Sequence, residues 1–385
     1  MVSVVYIRPE YTLGFQCDGR VCSSRCCRDW SVAIDPASYE AYAGIEPREA
    51  SEEICGWISG QDDRGNFMVR LREDRRCPFL RDDFLCRIQQ EYGERYLSDI
   101  CYSYPRVTYR IGGVVEQSMV VSCPVAARLL LGQAGPMRFV EEEKEEGRLG
   151  WHFDMTKKVG RYGEDWQDMQ SAGILLLQDR RLDLDQCLFS MLQFYEQGEG
   201  LLEKGEKGAF GKLLESVEAG DFSLSSVEEG RCGAFQKEVY LQSMMELFHV
   251  LYGVAADEER HRALGEIYDG QYPRFFDTLV EQRNLFENYL VNEYFLRLYP
   301  YAYEESMAEN VKIFVLSWKV MEFALLMMSA QEALDYERIL LGIGRMTERL
   351  DHNRDAMRAV RIFSRDFFRE ESATGFGGKI LAVGN

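Results

Sequence analysis

CDGRVCSSRCC, residues 17–27, crowds Cys17, Cys22, Cys26 and Cys27 into eleven positions, and the reading of this run decides how the first third of the chain folds. Soft thiolates at this density select zinc or an iron–sulfur cluster. Working outward, Cys77 follows in CPFL, Cys86 in LCRIQ, Cys101 in ICYSYPR and Cys123 in SCPVAARL, each beside a proline or at the edge of a predicted helix. That layout suits ligands delivered from several loops. Nine of the eleven cysteines fall within the first 123 residues, and these eight carry the pattern. A disulfide framework belongs to small secreted chains with even cysteine counts, whereas this chain has 385 residues and an odd count. Cys187 and Cys232 read as buried small hydrophobes. Adjacent side chains point in different directions, so one of Cys26 and Cys27 is expected to bind metal and the other to support it.

Around the cysteines the pattern is short and mixed. NFMVRL, RVTYRI and VVEQSMVV read as strands, with Gly112-Gly113 as the hairpin turn between the last two. PASYEAYA at 36–43 and REASEEICGWI at 48–58 read as short helices, the first capped by Asp35 with Pro36 in its first turn. A further helix starts at Pro124 and places Cys123 at its N-terminus, where the dipole favours a thiolate. From about Trp166 onward the period becomes helical, in MQSAGILLLQ, CLFSMLQFYEQ, VYLQSMMELFHVLYGV, RFFDTLVEQRNLFENYLVNEYFLRLY, IFVLSWKVMEFALLMM and YERILLGIGRMTERL. The expected fold class is therefore α+β, a small cysteine-rich metal-binding N-terminal domain with short strands over residues 1–140, followed by a mainly α-helical bundle over 151–372 and a tail over 373–385. EEEKEEGRLG at 141–150 reads as a solvated linker or a helix start, and the glycine-containing tail as mobile at its tip.

A hydrophobic content of 46% with 12% aromatics is that of a folded globular protein. The most apolar stretch, VMEFALLMMSA, is interrupted by Glu322 and is too short for a bilayer, so no membrane partner is expected. The N-terminus MVSVVYIRPEY lacks a basic segment followed by an apolar run, which predicts a cytoplasmic protein. A net charge of −19 opposes nucleic acid, because phosphate contacts need clustered Lys and Arg. An acidic surface can instead steer a basic, lysine-bearing partner.

Zinc sites usually show paired CxxC spacings, and this chain has none, which favours a cluster over zinc without removing zinc as the alternative. The radical-SAM spacing CxxxCxxC begins at Cys22 and Cys26 but meets Asp29 where its third cysteine would stand. The segments YTLGFQCDGRVCSSRCCRDWSVAIDPASYEAY, RRCPFLRDDFLCRIQQEYGERYLSDICYSYPR, SCPVAARLLL and ENYLVNEYFLRLYPY resemble the flagellin lysine-N-methylase family, and the first two also resemble the broader zinc- or iron-chelating cysteine-cluster proteins. The resemblance covers the N-terminal third densely and the helical half mainly through ENYLVNEYFLRLYP. It implies methyl transfer from S-adenosylmethionine to lysine ε-amines of flagellin in the cytoplasm, with a cysteine-ligated [4Fe-4S] cluster. The family cysteines carried over are Cys17, Cys22, Cys26, Cys27, Cys77, Cys86, Cys101 and Cys123.

A lysine attacks a methyl sulfonium only as the neutral amine, and its ordinary pKa is about 10.4, so such an enzyme must desolvate the amine or present a base. Tyr102, Tyr104, Tyr109 and Glu116 lie near Cys101 and the hairpin and are the candidates for that task; Tyr102, Tyr104 and Glu116 are the catalytic expectation. Arg106 and Arg128 are the candidates for a cofactor carboxylate. Asn292 and Glu293 could meet cofactor or substrate, or lie on a solvated helix face. No GxGxG loop follows a strand; LGIGR at 341–345 reads as a glycine-containing helix junction. A nucleotide pocket must therefore be of another kind. The competing reading is a metal-binding or electron-transfer module with a helical protein-interaction platform and no methylase activity.

Overall fold

SVVYIRP carries a β-branched and aromatic run, Val4 to Ile7, and it forms β1 (Ser3–Pro9), with Val4 and Tyr6 turned inward. The computed structural model describes residues 3–19, 25–29, 32–62, 64–223, 235–254, 256–351 and 354–381. Cys22, Cys232 and the last four residues of the tail lie outside them. The architecture is mixed α+β, and the chain divides into two compact units: residues 1–129 with 138–156, and residues 130–137 with 157–385.

In the first unit, β5 (Arg106–Ile111) and β6 (Val114–Met119) form the hairpin that Gly112 and Gly113 announce, with Gly112 at φ 60° and Tyr109 opposite Glu116. β1 runs parallel to β6, pairing Val5 with Val114, and antiparallel to β7 (Phe139–Glu145). β8 (Phe153–Asp154) adds to β5, which completes the order β7-β1-β6-β5-β8. The acidic run at 141–145 is thus an edge strand, not a linker or helix start. Its charges face solvent, where they discourage pairing with another chain, and Glu142 accepts from Arg8 (3.1 Å) and Lys144 (3.0 Å).

A second sheet, β2 (Ala33–Ile34), β4 (Phe67–Val69) and β3 (Ile58–Gln61) in the order β2-β4-β3, covers a separate apolar cluster that includes Ile34, Tyr42, Ile54, Val69, Phe79 and Ile88. The helix Pro36–Ala43 forms where expected, whereas Arg48–Gly56 stops short of the expected residue 58 because Ile58 opens β3. Asp35 caps the first, accepting from Ser38 N (2.9 Å), and its other oxygen accepts from Asp99 N (2.9 Å). Asp35 therefore ties that helix to the segment carrying Cys101.

The second unit is helical. Met307–Ser329 is apolar almost all round and runs buried from Asn310 to Leu326 apart from Ser317, which is how a central helix reads. Leu184–Glu203, Glu258–Glu281, Tyr336–Asp351 and Arg354–Phe368 pack around it. The long helix read across residues 274–299 is two helices, Glu258–Glu281 and Arg283–Leu296, broken at Gln282. LGIGR is no junction but the interior of the continuous helix Tyr336–Asp351, where a Cβ at Gly342 would come within 2.7 Å of a Leu325 methyl and push that side chain aside. The tail likewise begins as structure: Ala373–Ile380 is a helix with Phe376 and Ile380 buried, and Gly377 lies against the Phe189 ring. No described helix is long and apolar enough to cross a membrane.

Candidate functional site

Within the first unit, backbone pairing draws together cysteines that are far apart in sequence. A short 3-10 turn, Arg25–Cys27, carries Cys26 and Cys27 with their sulfurs 3.9 Å apart. Cys77 N donates to Cys27 O (2.8 Å), Leu80 pairs with Cys86, and Cys86 precedes the helix Arg87–Tyr92. Cys101 sits in the helix Asp99–Ser103, whose capping Ser98 oxygen accepts from Cys101 N (3.4 Å). Cys27, Cys77 and Cys86 belong to the apolar cluster of this unit or pack on it.

The electrostatics join these thiols into one group. Burial pushes Cys77 up to about 12, and Cys86 and Cys26 add to the rise. Cys86 is raised by burial and then by Cys26. Cys101 keeps solvent access, yet desolvation by the surrounding protein raises it, followed among the other thiols by Cys86, Cys77 and Cys26. Cys26 is the exception: the hydrogen bond with Cys27 lowers it and raises Cys27. Packing thiols this way in low dielectric holds most of them neutral unless a cation arrives.

Among the described residues, no three His, Cys, Asp or Glu side chains are arranged to hold a metal ion. Cys17 is exposed and Cys123 is buried at the start of the helix Pro124–Leu131. Cys55, in the helix Arg48–Gly56, packs on the apolar cluster. In the second unit Cys187 is fully buried; its sulfur bonds Asp179 O (3.3 Å) and lies 3.4 Å from Arg283 Nη2.

The remaining candidates of the first unit are dispersed over its helix and sheet. Tyr102 shares a helix with Cys101 and lies under the Arg148 guanidinium, 4.6 Å from the ring centre. The Tyr104 hydroxyl meets Ser122 Oγ at 3.3 Å. Tyr109 stacks on Phe153, and Glu116, opposite Tyr109 in the ladder, is 2% exposed. Arg106 lies over Phe15 at 5.2 Å, and Arg128 is exposed on its helix. Asn292 and Glu293, in the second unit, are not on a solvated face: both are buried, and Glu293 pairs with Arg297 at 2.9 Å.

Two buried charge centres of the second unit escaped the sequence reading. Lys319 Nζ, 2% exposed, donates to both oxygens of Asp185 (3.1 Å each) and of Glu322 (2.8 Å each), and lies 5.5 Å from the Tyr240 ring. The Tyr240 hydroxyl is buried without a hydrogen-bond partner among the described residues. Nearby, the wholly buried Glu287 receives Arg180 (Nη2, 2.8 Å) and Arg283 (Nε, 3.3 Å). Glu322 breaking an apolar helix was the visible signal of the first centre. Of the second, only the i,i+4 spacing of Arg283 and Glu287 is legible, and nothing in the sequence brings Arg180 to them.

Comparison with known proteins adds the family. The chain is similar to the Flagellar biosynthetic protein FliU of Salmonella muenchen, 25% identical over 156 residues, which is 37% of this chain and 86% of that protein. It is similar to the Lysine-N-methylase of Salmonella typhimurium, 23% identical over 145 residues, 37% of this chain and 36% of the relative. The Lysine-N-methylase of Salmonella choleraesuis gives 24% over 155 residues with the same coverage of 37% and 36%. The match thus spans about a third of the length of the two lysine-N-methylases. No solved structure matches significantly. The model of the FliB lysine N-methylase C-terminal domain matches residues 170–372, more than half of the chain, and the chain belongs to the FliB lysine N-methylase family.

Proposed function

We propose that the protein is a protein-lysine N-methyltransferase that moves a methyl group from S-adenosylmethionine to lysine ε-amines of flagellin. The observation that carries this reading is the family match over residues 170–372, which takes in the whole central helix Met307–Ser329 and its buried charges. In the reaction the neutral amine forms an N–C bond to the methyl carbon while the S–C bond breaks, the ammonium proton is lost to a base or water, and S-adenosylhomocysteine leaves. The protein must strip water from the amine and take up or relay that proton. In the first unit Tyr102, Tyr104 and the buried Glu116 are the proposed orienting and proton-accepting groups. Arg106 and Arg128 are proposed carboxylate donors there.

The donor set of the first unit, Cys26, Cys77, Cys86 and Cys101 delivered from four segments, is of the soft kind that a cysteine-ligated [4Fe-4S] cluster takes, and these thiols would have to close further together to hold it, since no three described side chains surround a metal position. Cys27 is the proposed supporting thiol for Cys26. Zinc would draw on the same donors. When bound, the metal would supply the positive charge that keeps these thiolates ionised and would tie four separate segments into one fold.

The test is incubation of anaerobically purified protein with flagellin and S-adenosylmethionine labelled in its methyl group. Label on flagellin lysines is expected. Intact folded protein with metal bound and no transfer to any lysine would overturn the enzyme and leave the metal-binding or electron-transfer module with its helical interaction platform.

A further inference from the structure

Two grooves flank the helix Lys237–Tyr252 in the second unit, and Glu238 and Gln242, one turn apart on it, line both. The first groove, about 400 Å³, lies against the helices Arg354–Phe368 and Ala373–Ile380 and is lined by Phe363, Phe367 and Phe368. Val360, Phe363 and Phe367 recur at three- and four-residue steps on one face of Arg354–Phe368. Val360 and Phe363 are 0% and 7% exposed, whereas Phe367, stacked on Phe363 at 4.5 Å, is 57% exposed. The apolar stripe thus runs past the core that covers it and leaves Phe367 on the groove wall. Opposite, Val239, Ser243 and Glu246 share one face of Lys237–Tyr252, and Val250, 61% exposed, continues that face one turn on.

The second groove, about 680 Å³, lies between Lys237–Tyr252 and Glu258–Glu281 and is acidic. Glu238, Asp257, Glu258, Glu266 and Asp269 line it against Arg262 and His261. Asp269 holds Lys237 at 2.6 Å, and Glu238 lies 3.9 Å from His261. Glu258 and Glu266, both exposed, have no ion pair among the described residues. Glu246 adds a sixth acid from the first groove, where Lys379 is already paired with Glu371. Counting Lys237 and Glu371 as well, the face sets seven acids against the cations Arg262, Lys379 and Lys237, and a protonated His261 would not close the gap. One helix therefore separates an uncovered aromatic wall from an excess of negative charge.

We propose that this face docks a lysine-bearing polypeptide, which lies across Lys237–Tyr252 with apolar side chains in the Phe363 and Phe367 groove and basic side chains over the acidic one. An extended segment crosses one helix width, roughly 10–12 Å, in about three or four residues, so the partner must carry its apolar and basic side chains that close together. The charge complementarity excludes an acidic partner, and the aromatic wall favours a polypeptide over a simple cation. That the polypeptide is the methyl acceptor rests on the methyltransferase reading; the docking chemistry does not.

The test measures direct binding and methyl transfer with the full chain and purified flagellin, native and lysine-acetylated. The variants are Phe367→Ala and the double exchange Glu238→Lys with Glu266→Lys, each checked for folding by a thermal melt. Native flagellin is expected to bind, about fivefold or more weakly to Phe367→Ala. The KM for flagellin should rise in step, with kcat and the KM for S-adenosylmethionine unchanged. The double exchange should weaken binding about tenfold at low salt, and the difference should shrink at high salt. Should Phe367→Ala fail to fold, the charge exchange decides. Binding with these losses but no methyl transfer would uphold the docking face and remove the enzyme. Methyl transfer with flagellin binding and KM unchanged in every folded variant would overturn the face and spare the methyltransferase. Acetylated flagellin bound as tightly as native, or no binding of either, would overturn the proposal. So would self-association abolished by Phe367→Ala with flagellin binding untouched, which would make the face a contact between copies of the chain.

Discussion

The two units bury polar chemistry in opposite ways. In the first, Cys26, Cys77, Cys86 and Cys101 raise or perturb one another's ionisation, and burial holds Cys77 and Cys86 above the ordinary thiol range. In the second, the buried acids Asp185, Glu322 and Glu287 are met by Lys319, Arg180 and Arg283 within hydrogen-bond distance. The second unit thus meets its buried acids with cations from its own side chains. The first buries a group of thiols, and on the proposed reading a metal from outside supplies their counter-charge. Composition does not separate the two cases; only the partners that folding brings together do.

The sharpest way to break this comparison is Cys86→Ser. If the first unit depends on a thiolate-held metal, the variant should lose the metal and its soluble yield together, since binding energy of roughly 10 kcal/mol or more is folding energy in such sites; metal analysis and solubility check it. Cys101→Ser should act in the same direction, and full metal occupancy there would strike Cys101 from the ligands.

Next in size is Lys319→Met. It leaves two buried carboxyls without their cation and should cost about 3–5 kcal/mol, read by urea unfolding. A cost below about 1 kcal/mol would mean that the second unit is not balanced from within. The Asp35→Ala exchange should cost about 1–2 kcal/mol, because one carboxylate both caps the helix Pro36–Ala43 and holds Asp99 N.

A smaller effect is a pH dependence. Burial raises Glu322 to about 7 although Lys319 pulls it back. A carboxyl with a folded pKa above its unfolded value of about 4.3 binds more protons when folded, so its contribution to stability falls as pH rises between those values. Wild type should lose on the order of 1–2 kcal/mol more than Glu322→Gln between pH 5 and pH 8, and parallel stability curves would remove Glu322 from the titrating centre. Smallest of all, Cys187→Ser should leave metal content unchanged, because Cys187 is held by Asp179 and Arg283 in the second unit.

Local signals in the sequence were legible. The Gly112-Gly113 turn places the hairpin, Asp35 and Pro36 place a capped helix, and the helical period finds most of the bundle. Signals that depend on partners were not. The acidic strand Phe139–Glu145 has no alternating apolar face because it lies at a sheet edge, and the tail helix Ala373–Ile380 is defined by what it packs on, Phe189 included. Gln282 breaks a helix inside an unbroken apolar period. At the candidate site, residue type pointed to metal chemistry, but spacing could not show that Cys77 pairs with Cys27 or that Cys86 pairs with Leu80. Arg180, Glu287 and Arg283 are three ordinary charges until the fold closes them on one another.

That the first unit is built around a cation it does not itself supply is the claim on which the comparison turns. Iron, sulfide and zinc content with a visible spectrum, measured on anaerobically purified protein, tests it most directly. The account predicts about four irons and four sulfides per chain with the broad absorption of a thiolate-held cluster. Protein that is folded, soluble and devoid of iron and zinc alike would contradict it.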